Sequence, residues 1–192
     1  SFRRIGMAED ALSCKGGQAA FSTGNAAWPP FDFSYHVHPT RSGATMTQDR
    51  ATVRQQLRQR RRDLTAATRI AAAEALAGRI LALPFLPRQG HVAGYWAMDG
   101  EIGLHVLQLR LPPGLVWCLP VLAGEVLRFA PWHPGDPLVS NRYGIPEPDV
   151  APAACLGAEQ LALAVMPLVG FDADGRRLGM GGGWYDRSFA FR

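Results

Sequence analysis

Lysine is nearly missing from this 192-residue chain: nineteen of its twenty cations are arginine, and Lys15 is the exception. GC-rich coding is enough to produce that bias, so it assigns no function by itself. Cysteine is also scarce. Cys14, Cys118 and Cys155 are odd in number and far apart, which argues against a disulfide framework and for reduced thiols. No apolar run reaches the roughly 18 to 20 residues that cross a bilayer. No basic stretch leads into an apolar segment with a small-residue cleavage site, so a cytoplasmic location is expected. Among histidines, His36 and His38 are joined by no cysteine or carboxylate at ligand spacing, which speaks against a metal site there. The net charge is a modest +4, and no aromatic residue interrupts the basic run Arg50–Arg62. A nucleic-acid surface usually interleaves such readers, so no nucleic-acid partner is expected.

What remains is a globular composition, 47% apolar and 19% charged, sufficient for one domain with a substantial core. Residues 1–45 mix Gly, Pro, Ser and Thr with isolated aromatics and keep no period, which predicts a poorly ordered extension; an upstream mis-start of the reading frame is the alternative origin. Residues 46–192 are orderly. A helix is expected over 47–64, with Asp49 near its positive end and Arg50, Arg54, Arg58 and Arg61 sharing one face. Arg58, Arg60, Arg61 and Arg62 read as a solvated face. Thr65 can cap a second helix from Ala66 to about Leu83, stopped by Pro84. Strands are expected at 91–96, 115–119, 125–130 and 161–166, with a helix opening at Glu101 and running to about Leu109. Residues 131–154 read as loop, and a last helix begins near Gly183. There is no internal repeat. Helices alternating with buried strands imply an α/β fold: three layers, a mostly parallel, Rossmann-like sheet flanked by helices.

The densest chemistry lies in Arg176-Arg177-Leu178-Gly179-Met180-Gly181-Gly182-Gly183-Trp184-Tyr185-Asp186-Arg187. Four glycines in five residues let backbone N–H groups approach a ligand closely. Arginines on both sides suit phosphate oxygens, and the adjacent carboxylate suits the Mg²⁺ of a triphosphate. No Gly-Lys-Ser/Thr ends the run, so it is not a Walker loop. Its glycines also miss the dinucleotide spacing. Asp172 and Asp174 flank Gly175 as turn residues, and Cys118 reads as a buried strand residue.

Arg50-x-x-x-Arg54, Tyr95-Trp96 with Glu101, Tyr143-Gly144-Ile145-Pro146-Glu147-Pro148, and Phe171-Asp172 through Arg187 together resemble the 5-formyltetrahydrofolate cyclo-ligase (methenyltetrahydrofolate synthetase) family over about residues 46–192. The resemblance implies an ATP- and Mg²⁺-dependent closure of 5-formyltetrahydrofolate to methenyltetrahydrofolate through phosphorylation of the formyl oxygen. It implies that Arg50, Arg54 and Arg177, Leu178, Gly179, Met180, Gly181, Gly182, Gly183, Trp184 and Tyr185 bind ATP, with Arg177, Trp184 and Tyr185 assigned to the catalytic step. Trp96 and Glu101, with Met180 to Trp184, would meet the folate, and Asp186 would ligate Mg²⁺. Many members carry a basic residue where Met180 or Gly182 stands, so Arg176 or Arg187 is expected to supply that charge. Members also continue with a further strand, a helix and a second acidic metal ligand, so the fold is expected to lack that C-terminal strand and helix. A monomer acting on a reduced folate and ATP is expected, without a membrane partner. Two other readings stay open: an inactive nucleotide-binding fragment of this scaffold, and an arginine-rich RNA-binding protein.

Overall fold

The computed structural model describes residues 3–5, 49–172 and 174–191. Of the segment 1–45, only Arg3–Ile5 falls within them, as the short strand β1. His36 and His38 lie outside the described residues.

Helix α1 (Arg50–Arg62) buries none of its residues and is followed by α2 (Ala66–Leu81). The Thr65 hydroxyl accepts the Thr68 amide at 3.1 Å, the N-cap that the sequence announces. Helix α2 then buries Ala73, Ala77 and Ile80, one stripe of its surface. Strand β2 (Gly90–Ala93) is shorter than expected, and the chain leaves the sheet at Gly94. Helix α3 (His105–Leu109) starts four residues later than Glu101, whose carboxylate is engaged elsewhere.

Strands β3 (Leu115–Ala123) and β4 (Val126–Pro131) form a hairpin. The region expected as loop contains a second hairpin, β5 (Leu138–Ser140) with β6 (Pro146–Pro148). Strand β7 (Leu161–Val165) follows. Two-residue strands β8 (Gly170–Phe171) and β9 (Arg177–Leu178) pair next, and α4 (Trp184–Ser188) follows the glycines.

The main sheet runs β1-β7-β2-β3-β4. The first three pairings are parallel and β3–β4 is antiparallel, so the sheet is mixed, with the predicted parallel part at its centre. Successive strand residues face opposite sides and build two cores. On one side Val92, Trp117, Leu119, Leu163 and Val165 pack with α2 and α3. On the other, Ala93, Cys118, Phe129, Ala164 and Met166 pack with Phe189, Trp184 and Tyr185. Cys118 is fully buried there, and burial pushes its thiol up to about 12, as befits a core residue and not a nucleophile. No helix among the described residues is long and apolar enough to cross a membrane.

Because β2 and β7 are parallel neighbours, their carboxyl ends point the same way. The segment with Tyr95 to Glu101 leaves one of them, and the segment with the glycines leaves the other. Open parallel sheets bind ligands at that edge.

Candidate functional site

Hairpin β8–β9 delivers the glycine loop. Asp172 Oδ1 accepts the amides of Asp174 (3.0 Å) and Arg176 (2.8 Å), closing the turn. Arg176 donates to Asp174 at 2.6 Å and reaches Asp172 at 3.5 Å. It therefore serves the turn and does not supply the charge expected of it beside the glycines.

The loop then passes through Gly181 (φ 98°) and Gly183 (φ 68°), conformations that side chains resist. Two arginines hold its carbonyls. Arg54 Nε donates to the Gly179 carbonyl at 2.9 Å, which docks α1 on the loop. Arg187 donates to the Gly182 carbonyl at 2.9 Å and to the Glu125 carbonyl at 2.7 Å. Among the described residues, none of the amides from Gly179 to Gly183 has a protein acceptor. Carbonyls held by cations beside amides left open make a concavity suited to an anion. Arg50 is exposed on the first turn of α1, one turn before Arg54.

Arg177 is mostly buried, pairs with Asp186 Oδ1, and lies 5.9 Å from the Tyr185 ring centroid. Asp186 is 67% exposed on its side chain. Tyr185 stacks on Phe189 at 6.4 Å, and its hydroxyl is held well above the usual tyrosine range by burial, then by the Glu101 and Tyr95 charges. Tyr185 also packs against the core cluster that contains Ala93, the last residue of β2. Met180 is exposed. Trp96 is half-buried, packs against the α2 side of the core and meets Trp132 edge-on at 5.9 Å.

The β2 side is organised by α1. Asp99, at φ 50°, receives Arg58 at 2.8 Å, Arg61 at 3.1 Å and Arg62 at 3.2 Å. Those guanidinium groups, Arg58 first, hold its carboxyl down at about 2. Arg61, only 13% exposed on its side chain, also donates to the Asp99 carbonyl at 3.0 Å and to Glu101 Oε1 at 3.2 Å. Glu101 Oε2 accepts the Met98 amide at 3.0 Å. Burial raises the Glu101 carboxyl, and the Met98 amide and Arg61 partly oppose it. This corrects the solvated reading of Arg61, which is largely buried and orients Glu101; Arg58 and Arg62 are ion-paired to Asp99, Arg62 on the exposed surface as expected. The spacing that put Arg58 and Arg61 on the Arg54 face was the available signal.

The remaining piece was not visible as a site. Tyr143 at the tip of β5–β6 meets Trp184 edge-on at 6.2 Å, with the Arg142 guanidinium 5.2 Å from both rings. Glu147 accepts the Leu122 amide and the Asn141 side chain, both at 3.1 Å, so its role is structural.

Fold and site together define an α/β protein with a mixed sheet and a glycine loop of open amides at the carboxyl edge of its parallel strands. Residues 46–192 match the 5-formyltetrahydrofolate cyclo-ligase family, and the chain belongs to that family. It is 39% identical over 137 residues to the 5-formyltetrahydrofolate cyclo-ligase of Escherichia coli K12, covering 69% of this chain and 75% of the relative. It is 35% identical over 147 residues to that of Haemophilus influenzae, covering 74% and 78%. Among solved structures it resembles the 5,10-methenyltetrahydrofolate synthetase of Aquifex aeolicus, with a TM-score of 0.64 and 26% identity over 73% of this chain and 72% of the other. The synthetase from Mycoplasma pneumoniae shares the fold, with a TM-score of 0.55 and 19% identity over 74% and 77%.

Proposed function

We propose that this chain converts 5-formyltetrahydrofolate to 5,10-methenyltetrahydrofolate, consuming ATP with Mg²⁺ and releasing ADP and phosphate. The observation that carries the reading is the run of open amides from Gly179 to Gly183, clamped through its carbonyls by Arg54 and Arg187. Such a loop receives phosphate oxygens through N–H groups that need no rearrangement. Arg50 and Arg54 lie toward the phosphates, and Leu178 to Tyr185 wrap the nucleotide.

The formyl oxygen is a poor leaving group as hydroxide. Transfer of the terminal phosphoryl group of ATP to it makes a good one. The neighbouring folate nitrogen then bonds to the formyl carbon and releases its proton to solvent, and the carbon–oxygen bond breaks as phosphate departs. Catalysis of such a transfer is mainly positioning and charge neutralisation. Arg177 and the loop amides supply donors to the transferred group, while Trp184 and Tyr185 wall it from water. Glu101, oriented by Arg61 and the Met98 amide, accepts N–H bonds from the pterin edge. Trp96 bounds that side and Met180 to Trp184 the other.

The residues fit Mg²⁺. No group of three or more ligating side chains occurs among the described residues, and one exposed carboxylate suits an ion carried chiefly by phosphates and water. Arg177 pairs with Asp186 Oδ1, and the second oxygen is outside that pair. Asp186 would hold the ion, which when bound offsets phosphate charge.

The test is direct. Purified protein with 5-formyltetrahydrofolate, ATP and Mg²⁺ is expected to develop the near-ultraviolet absorbance of the methenyl product, and omission of any one component abolishes it. Nucleotide binding without that absorbance would support the inactive scaffold instead.

A further inference from the structure

Hairpin β5–β6 is fastened more firmly than an exposed tip requires. Asn141 Oδ1 accepts the amides of Tyr143 (2.9 Å) and Ile145 (3.2 Å). The Asn141 carbonyl accepts the Gly144 amide at 2.8 Å, and its own amide donates to the Ile145 carbonyl at 3.0 Å. Asn141 Nδ2 donates to Glu147 Oε2, which also accepts the Leu122 amide of β3, each at 3.1 Å. The tip is thereby tied to the main sheet, and it presents Arg142 and Tyr143 to Trp184 at the end of the glycine loop.

The cations around that loop differ in what they already hold. Arg54 and Arg187 donate to carbonyls, and Arg176 and Arg177 to carboxylates. Arg142 lies over two rings at 5.2 Å from each centroid, and among the described residues its guanidinium has no oxygen acceptor. A guanidinium held by aromatic faces keeps its in-plane donors available and has less side-chain freedom to lose when a ligand arrives.

We propose that Arg142 binds an oxyanion of the substrates at the Trp184 end of the glycine loop. This deepens the reading given above and rests on it. The chemistry suits either of two sources: a phosphate oxygen of the nucleotide, or a carboxylate of the folate's glutamate. Arg142 would thus supply the charge that the glycines at 181–183 do not carry.

The experiment compares wild type with Arg142→Gln, which keeps a flat amide over the rings and removes the charge. KM is measured for ATP and for 5-formyltetrahydrofolate, together with equilibrium binding of inorganic tripolyphosphate and of 5-formyltetrahydropterin, which lacks glutamate. A KM for ATP raised about tenfold, with weaker tripolyphosphate binding, identifies phosphate. A KM for the folate raised about tenfold, with 5-formyltetrahydropterin binding unchanged, identifies the glutamate carboxylate. In either case the loss falls more on KM than on kcat and shrinks as salt rises, which a packing role would not produce. Wild-type turnover with both KM values indifferent to Arg142→Gln overturns the inference alone. A wild type that neither turns over nor binds nucleotide overturns the proposed function as well.

Discussion

Two regions of this molecule are rich in arginine and use it in opposite ways. At the C-terminal end of α1, Arg58, Arg61 and Arg62 converge on Asp99, and Arg61 continues to Glu101. Around the glycine loop, arginines hold carbonyls while the amides from Gly179 to Gly183 have no protein acceptor among the described residues. The first arrangement is complete without a ligand. The second leaves donors open. Arginine in a sequence therefore identifies neither role. The acceptors that fill its donors do, and an unfilled set of donors marks where binding energy is still available.

If that contrast is real, changes in the first region should cost stability and changes in the second should cost binding. The largest effect is expected for Arg61→Ala, which leaves half-buried Glu101 without its cation. A loss of about 2 to 3 kcal/mol in denaturant unfolding is expected, below the range for a fully buried pair because the site is partly exposed. Folate KM should rise with it. Gly181→Ala forces a side chain into φ 98° at an exposed loop. The strain, about 1 to 3 kcal/mol, is relieved by reshaping the loop, so nucleotide affinity should fall about tenfold or more while the thermal midpoint moves little. Arg54→Ala should raise the KM for ATP by about tenfold and the KM for folate less, because it frees the Gly179 carbonyl. Asp186→Asn should raise the Mg²⁺ concentration for half-maximal rate without altering unfolding, and unchanged turnover at limiting Mg²⁺ would remove Asp186 from the site.

The smallest effect is a pH dependence. The carboxyl of Asp99 is held at about 2 in the folded chain, below the unfolded value of about 3.8. Its contribution to stability is therefore complete above the unfolded value and is lost as pH falls through about 2. The gap between wild type and Asp99→Asn in thermal midpoint should be widest at pH 5 and should close toward pH 2. A gap that persists there would assign the arginine cluster no role through charge.

The sequence made some of this legible and hid the rest for physical reasons. The α2 cap was readable because Thr65 acts on its own next turn. The central strands were readable because their burial on both faces leaves apolar runs. The delayed start of α3 was not, because Glu101 is drawn to Arg61 forty residues away in the chain. Hairpin β5–β6 was hidden by Pro146 and Pro148, which argue against a strand until one sees a two-stranded edge. The glycine loop was the plainest feature, since no packed core uses glycine so densely. Arg142 carried no local signal, because its proposed role depends on the Trp184 ring meeting its guanidinium from a distant part of the sequence.

The central claim is that the amides of the glycine loop receive the phosphates. The direct test is an amide chemical-shift titration of the folded protein with ADP, Mg²⁺ and then a non-hydrolysable ATP analogue. Large, saturable shifts at Gly179 to Gly183, with small ones at Asp99 and Glu101, are the predicted result. Saturable nucleotide binding that leaves those five amides unmoved and shifts another surface would contradict it.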